Sequence, residues 1–155
     1  MKTILQNDIW SISSFLENKE YKFNKENILT HLPEKFIDEA IEAISSWDNY
    51  VPTPLIKLNK LNDELKFKNI YYKDEDKRFD LKSFKALGGA FAVYKIASEK
   101  KNIIVSTATA GNHGRSVAWG AQRLGLKCKI FISEFVSESR AEAMRNLDAE
   151  VIRVK

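Results

Sequence analysis

Apolar residues in the second half of the chain alternate between short continuous runs and longer segments with helical spacing. The short runs predict β-strands at 69–73, 103–105, 128–132 and 151–154. The longer segments predict helices over 84–98, 113–124 and 139–147. Continuous apolar strands that alternate with helices are typical of a parallel sheet covered by helices on both faces. The pattern therefore predicts an α/β fold with a β-α-β-α-β order from residue 103 onward.

The first half of the chain carries weaker signals. A helix is predicted from Pro33 to about Trp47, because proline suits a first helical turn and the following apolar residues keep helical spacing. Pro52 and Pro54 predict an extended connector after it. Apolar residues within 9–16 suggest a short amphipathic helical turn, and the remainder of the first 30 residues is left unassigned.

Helix ends are marked at two positions in the second half. Gly125 follows Leu124 and predicts a helix stop, because glycine readily takes the left-handed conformation that ends helices. Ser139 with Glu142 matches the spacing of a capping box and predicts a helix start.

Composition narrows the functional classes. Hydrophobic residues make up 44% and charged residues 30% of 155 residues, which is typical of a globular protein, and no apolar run approaches a membrane span. We therefore expect a cytoplasmic protein that does not bind membranes. The net charge of +4 is scattered among acidic residues, which disfavours nucleic-acid binding. A single cysteine, Cys128, excludes an internal disulfide, and no metal site is expected.

All six glycines lie between residues 88 and 125, which marks this segment as the working region of the chain. Just before it, Lys85 stands at a loop-to-helix junction beside Phe84 and ahead of Gly88-Gly89. A partly desolvated lysine there would favour its neutral, nucleophilic amine. The alternative is an ordinary surface lysine that extends from a helix. The paired glycines imply that either another helix or a ligand packs closely against that face.

A second candidate is the segment 106–119, which follows a predicted strand and opens a helix. The free N–H groups of a helix start favour a carboxylate or a phosphate, and Asn112 adds an amide that can bind a ligand oxygen. The segment matches neither the dinucleotide fingerprint nor the P-loop. The alternative is a strand-to-helix turn whose Asn112-His113-Gly114 sequence serves only its geometry.

Together, Ser83-Phe84-Lys85 and the loop Ala110 to Gly114 resemble the fold-type II family of pyridoxal-phosphate enzymes, which includes the threonine and serine dehydratases. The helix sequence Phe84 to Gly89 and the run Gly111 to Trp119 are most similar to those of diaminopropionate ammonia-lyases. The resemblance begins near Val51 and covers well under half of a family member.

The resemblance implies a fold and a site. Residues 1–85 would belong to the large cofactor domain and 86–155 to the first part of the small domain, with the chain cut short before the phosphate-binding loop. Pyridoxal 5'-phosphate would bind through Lys85, Ser83 and Asn112. The substrate would be held by the loop residues Thr109, Ala110, Gly111, Asn112, His113 and Gly114.

The same resemblance implies an activity: β-elimination on 2,3-diaminopropionate, or a related β-substituted amino acid, to give pyruvate and ammonia, with Lys85 as catalytic base. The full-length form would be a homodimer, and the 155-residue chain alone is expected to be inactive. Ammonia-lyases carry Asp where this chain has Ala110, so activity restricted to L-substrates or to another amino acid is expected. The alternatives are a threonine or serine dehydratase-like lyase and a non-catalytic module that binds a small anion.

Overall fold

A computed structural model describes residues 5–6, 11–12, 22, 24–65 and 68–155. The described chain forms two compact units. The first unit draws on Met1–Ile37 and Leu55–Tyr72, and the second on Asp38–Pro54 and Lys73–Lys155. The division of the family's domains at residue 85 stays a prediction.

The elements of the first half are short. In chain order they are β1 (Leu5–Gln6), β2 (Ser11–Ile12), α1 (Lys25–His31), α2 (Glu34–Ser45), β3 (Leu55–Lys57), α3 (Asn59–Leu65) and β4 (Tyr71–Lys73). The strands β1 and β2 pair antiparallel, and β3 pairs with β4. The suggested helical turn at 9–16 lies mostly outside the described residues, and its described pair Ser11–Ile12 is a strand instead. The helix predicted after Pro33 is confirmed as α2.

The second unit contains the predicted alternation. Its elements are α4 (Lys85–Glu99), β5 (Ile104–Ala108), α5 (Asn112–Arg123), β6 (Lys127–Ser133), α6 (Glu138–Arg145) and β7 (Ala149–Val154). The strands form a parallel sheet in the order β5-β6-β7, in which Val105 pairs with Cys128 and Ile130 with Val151. The predicted α/β fold with a parallel sheet and helices is confirmed.

The core of this unit lies between the sheet and its helices. Alternate residues of β6 are buried and pack in one cluster with buried side chains of α5 and α6: Cys128, Ile130, Ile132, Ala118, Ala121, Ala141 and Met144. The neighbouring positions Lys129 and Phe131 are half-buried on the opposite face. The presence of helices on that second face stays a prediction.

The two predicted helix ends have different outcomes. Gly125 has a φ of 63°, and the N–H groups of Gly125 and Leu126 donate to the last turn of α5, so this helix stop is confirmed. The capping box is wrong, because α6 begins earlier, at Glu138, after Ser137. The hydroxyl of Ser139 lies 3.2 Å from that of Ser137. Glu138, in the first turn of α6, forms ion pairs with Arg145 and Arg153.

Helices α4 and α5 pack closely through small residues. A Cβ placed on Gly120 would lie 2.8 Å from the Cα of Ala90, and one on Gly89 would lie 2.8 Å from the Cβ of Ser116. Both distances are shorter than real contacts allow. Glycine at these two positions is therefore required by helix approach. None of the helices in the described ranges is both long and apolar enough to cross a membrane.

The helix contact gives a test of folding stability. We expect Gly120→Ala to lower the free energy of unfolding by about 1–3 kcal/mol, because the added methyl group meets backbone that cannot yield cheaply. Gly88→Ala is the matched control, since a Cβ at Gly88 would meet nothing within 4 Å. It should raise stability by about 0.5–1 kcal/mol through helix propensity. Chemical denaturation of both variants measures the difference, and equal effects would contradict the packing argument.

Candidate functional site

Lys85 is the first residue of α4, and its main chain is held from two sides. Its N–H donates to Oγ of the buried Ser83 at 3.2 Å. Its carbonyl oxygen accepts a hydrogen bond of 2.5 Å from the hydroxyl of Ser116 on α5. Ser116 has no exposed surface. The backbone of Lys85 is therefore fixed, while its side chain remains exposed.

The loop before Lys85 holds an uncommon backbone conformation. Phe79, Asp80 and Lys82 have φ values of 47°, 58° and 53°, in the left-handed region that disfavours residues with a Cβ. Such residues cost of order 1 kcal/mol each and persist only where surrounding contacts determine them. Phe79 and Leu81 are buried, and Phe79 packs against Trp47 and Trp119, with ring centroids 5.9 and 4.7 Å apart.

A polar cluster precedes this loop, formed by the buried Thr53 and Arg78 and the half-buried Glu75. The Arg78 guanidinium donates to both carboxylate oxygens of Glu75, at 2.7 and 3.0 Å, and to Thr53 Oγ1 at 2.9 Å. Thr53 in turn donates to Glu75 at 2.6 Å. Arg78 also donates to the carbonyl of Val51 at 3.3 Å, and Lys73 donates to that of Thr53 at 2.6 Å.

These contacts shift the ionisation of the cluster. The hydrogen bond from Arg78 holds the pKa of the Glu75 carboxyl below its ordinary value of 4.5, and Thr53 and Lys73 add to the lowering against the effect of burial. Hydrogen bonding to Glu75 raises the pKa of Arg78. The pair is therefore charged at neutral pH, and only 5% of the surface of Arg78 is exposed.

A cleft of about 420 Å³ opens beside Lys85, between α4, β5 and the start of α5. It is lined by Lys85, Gly88, Val93, Val105, Ser106, Thr107, His113 and neighbouring apolar residues. The two glycines of α4 differ here, because Gly89 packs against α5 while Gly88 faces open space in the cleft. The sequence analysis offered a helix or a ligand as the neighbour of the glycine pair. A helix packs against Gly89, and Gly88 leaves room for a ligand.

The loop after β5 divides its residues between two hollows. His113 lines the cleft beside Lys85, whereas Ala110, Gly111 and Asn112 line a second hollow of about 390 Å³. Thr109 donates its N–H to the carbonyl of Phe131 at 3.0 Å and lines neither. The structure thus brings Lys85 and His113 to one cleft, and the role predicted for Asn112 stays a prediction.

The second hollow has a positive lining. Arg115, Ser139, Arg140 and Ala143 also line it, and in the described part of the chain neither arginine forms an ion pair. The Nε atom of Arg115 is buried without a hydrogen-bond partner. Gly114 lies beneath the loop, where a Cβ would meet the side chains of Met144 and Thr109 within 3 Å. Its predicted role at the substrate stays a prediction, and packing alone accounts for glycine there.

Several residues of the site escaped the sequence analysis. Glu75 lies in a charged run that resembles a solvated loop, and the prolines around Thr53 predict only an extended connector. In that run, the pair Arg78-Phe79 is similar to the sequence of diaminopropionate ammonia-lyases, but this resemblance assigns it no role. Ser116 gave no signal, because its bond to Lys85 spans 31 residues. Among residues 24–65 and 68–155, no group of three His, Cys, Asp or Glu side chains forms a metal-binding set.

Most of the chain matches one known protein family. Residues 47–155 match the family described as pyridoxal-phosphate dependent enzyme. The chain belongs to this family. Diaminopropionate ammonia-lyase of Escherichia coli K12 is 41% identical over 121 residues, and these cover 66% of this chain. The biosynthetic L-threonine dehydratase of Haemophilus influenzae is 34% identical over 131 residues, or 81% of this chain.

A solved pyridoxal-phosphate enzyme shows the same fold. The crystal structure of Escherichia coli diaminopropionate ammonia-lyase in complex with an aminoacrylate-PLP azomethine reaction intermediate matches 79% of this chain with a TM-score of 0.71 and 35% identity. The chain spans about 30% of the length of the curated ammonia-lyase and 34% of that solved chain.

The cleft of this pyridoxal-phosphate family member fits a flat aromatic cofactor. Its walls are largely apolar, Lys85 supplies an amine at its edge, and the empty Cβ position of Gly88 leaves room for a ring. A side chain at residue 88 would occupy this space. Lys85 and Gly88 are thus residues of this chain that would hold the cofactor, and the cofactor contacts predicted for Ser83 and Asn112 stay predictions.

The Glu75 carboxyl gives a pH prediction. Because folding lowers its pKa, its contribution to stability is present above 4.5 and is lost as pH falls through the lower, folded-state pKa. We expect Glu75→Gln to be less stable than the parent at pH 7 and to lose less stability on acidification below pH 4.5. Thermal unfolding between pH 3 and 7 measures this.

Glu138→Gln is the control, since the pKa of that carboxyl is also lowered, by Arg145 and Arg153, but the group is exposed. Salt screens exposed charges more than buried ones, so 0.5 M salt should suppress the Glu138 effect and preserve that of Glu75. Equal suppression of both effects would contradict a buried cluster.

Proposed function

We propose that this chain is the lysine-bearing part of a pyridoxal-phosphate-dependent ammonia-lyase acting on 2,3-diaminopropionate or a related β-substituted amino acid. The observation that carries the proposal is the placement of Lys85 at the edge of a cleft that Gly88 leaves open. The 41% identity to an ammonia-lyase and the 35% identity to its solved structure support the substrate class.

The residues of the cleft would divide the chemistry between binding and proton transfer. Pyridoxal phosphate, when bound, supplies a ring that withdraws electrons from the substrate's Cα. Lys85 Nζ would accept the Cα proton, and loss of the β-amino group followed by hydrolysis would give pyruvate and two molecules of ammonia. The exposed His113 lines the same cleft.

The N-terminus of α5 would hold the substrate carboxylate. Gly111 and Asn112 stand at this helix start, where free N–H groups and the helix dipole favour an anion. Ala110 carries no carboxylate at the position where the resemblance implies Asp. We infer that Lys85 is the base of this segment and that L-substrates are preferred, since a second base for the D-isomer is missing.

Two other functions have specific support. The 34% identity over 81% of the chain to a threonine dehydratase favours loss of water from a hydroxyamino acid as an alternative elimination. The second hollow, with Arg115 and Arg140 beside the start of α5, favours binding of a small anion without catalysis. For the whole protein, the resemblance supports a cytoplasmic homodimer, and it gives no support to nucleic-acid or membrane binding.

Reductive trapping tests the cofactor site in the chain itself. Incubation with pyridoxal phosphate and borohydride, followed by peptide mass spectrometry, should label Lys85 above the other lysines, because among the described lysines Lys85 is the one that lines the cleft. Gly88→Leu should abolish the preference by filling the cleft, and Gly88→Ala should weaken it. Borohydride without pyridoxal phosphate is the blank. Labels spread evenly over surface lysines would contradict a cofactor site in this chain.

Substrate assays test the reaction in a protein of the relatives' length that contains this chain. Lys85→Ala should lower pyruvate release from L-2,3-diaminopropionate by about 10³-fold, the scale of a lost general base. The D-isomer, L-threonine and L-serine complete the panel. Faster turnover of L-threonine would favour the dehydratase alternative, and full activity of the Lys85 variant would overturn both lyase proposals.

A further inference from the structure

We propose that Arg78, together with Thr53 and Glu75, is a positioning cluster that sets the place of Lys85 at the cleft. The inference rests on the proposed function for the role of Lys85, and it adds residues that touch neither the cleft nor its ligands. The cluster acts through the strained loop 79–84, whose two ends are Arg78 and Lys85.

The cluster fastens the start of the loop to a distant part of the chain. Arg78 reaches back 25 residues to Thr53 Oγ1 and 27 residues to the carbonyl of Val51. The Thr53 hydroxyl accepts a hydrogen bond from Arg78 and donates one to Glu75, so it acts as both acceptor and donor inside the cluster. Removing this hydroxyl would loosen the link between segments while leaving the ion pair of Arg78 and Glu75 in place.

The loop connects Arg78 to Lys85 through only six residues. The carbonyl of Arg78 accepts from the N–H of Leu81 at 2.9 Å, and the side chain of Leu81 is buried. Ser83 follows, also buried, and accepts from the N–H of Lys85. Because Phe79, Asp80 and Lys82 occupy left-handed conformations, this path depends on restraints at both ends.

An ion pair holds α4 further along the helix, and this contact provides a control. Lys95 donates to Glu39 at 2.6 Å, linking the helix to α2 ten residues beyond Lys85. Glu39→Gln removes the charge of that contact and leaves the loop before α4 untouched. A general loss of stability would appear in this variant as well, whereas a loss of positioning would not.

The experiment compares the parent chain with Thr53→Val, Arg78→Lys and Glu39→Gln. Arg78→Lys keeps a charge beside Glu75 but loses the fork that also reaches Thr53 and Val51. Hydrogen exchange of the amides from Leu81 to Leu87 reports how firmly the loop is held. The share of pyridoxal-phosphate label found on Lys85, relative to Lys129 of β6, reports where its amine is placed.

We expect Thr53→Val to speed exchange of the loop amides by about five-fold, the scale of one net hydrogen bond, and to lower the Lys85 share similarly. Arg78→Lys should show the same change or a larger one. Glu39→Gln should leave both readouts at the parent value, even where its melting temperature falls.

Two results would overturn the inference. Unchanged exchange between Leu81 and Leu87 in both cluster variants would show that the cluster does not hold the loop. Faster exchange with an unchanged Lys85 share would show that the loop does not place the amine. If pyridoxal phosphate labelled the lysines of the parent chain without preference for Lys85, the proposed cofactor site would be refuted instead. Hydrogen exchange of the Lys85 amide would still decide whether the cluster holds the backbone of Lys85.

Discussion

The close approach of α4 and α5 is the constraint on which the rest of the site depends. Gly89 and Gly120 let the two helices approach until backbone meets backbone, and only at that separation can the hydroxyl of Ser116 reach the carbonyl of Lys85. That bond fixes the first turn of α4 relative to α5. The main chain of Lys85 and helix α5 are thus parts of one rigid pair.

Much of this fold follows from local sequence patterns. The strands and helices from Lys85 onward were predictable to within a few residues because apolar runs and helical spacing act over short distances. Gly125 was equally readable, since a helix stop is a local event. The capping box failed because α6 begins two residues earlier, after Ser137, and the contacts of Glu138 with Arg145 and Arg153 leave no signal in the Ser139–Glu142 spacing.

The site was only partly predictable. Lys85 and the loop from Ala110 to Gly114 were visible through family resemblance, yet the structure separates that loop between two hollows, which no linear motif encodes. The bond between Thr53 and Arg78 joins residues 25 apart, and its charged partners look like solvated surface in the sequence. Left-handed conformations at non-glycine residues such as Phe79 leave no compositional trace at all.

The contrast between the neighbouring glycines of α4 shows how packing and chemistry share one helix turn. A methyl group at Gly89 would collide with α5, so glycine there is accounted for by folding alone. At Gly88 a methyl group would meet nothing and would gain helix propensity, so stability alone would favour alanine. Glycine at 88 therefore lowers helix stability and leaves space in the cleft. This mismatch between helix propensity and the residue present points to a ligand beside Lys85.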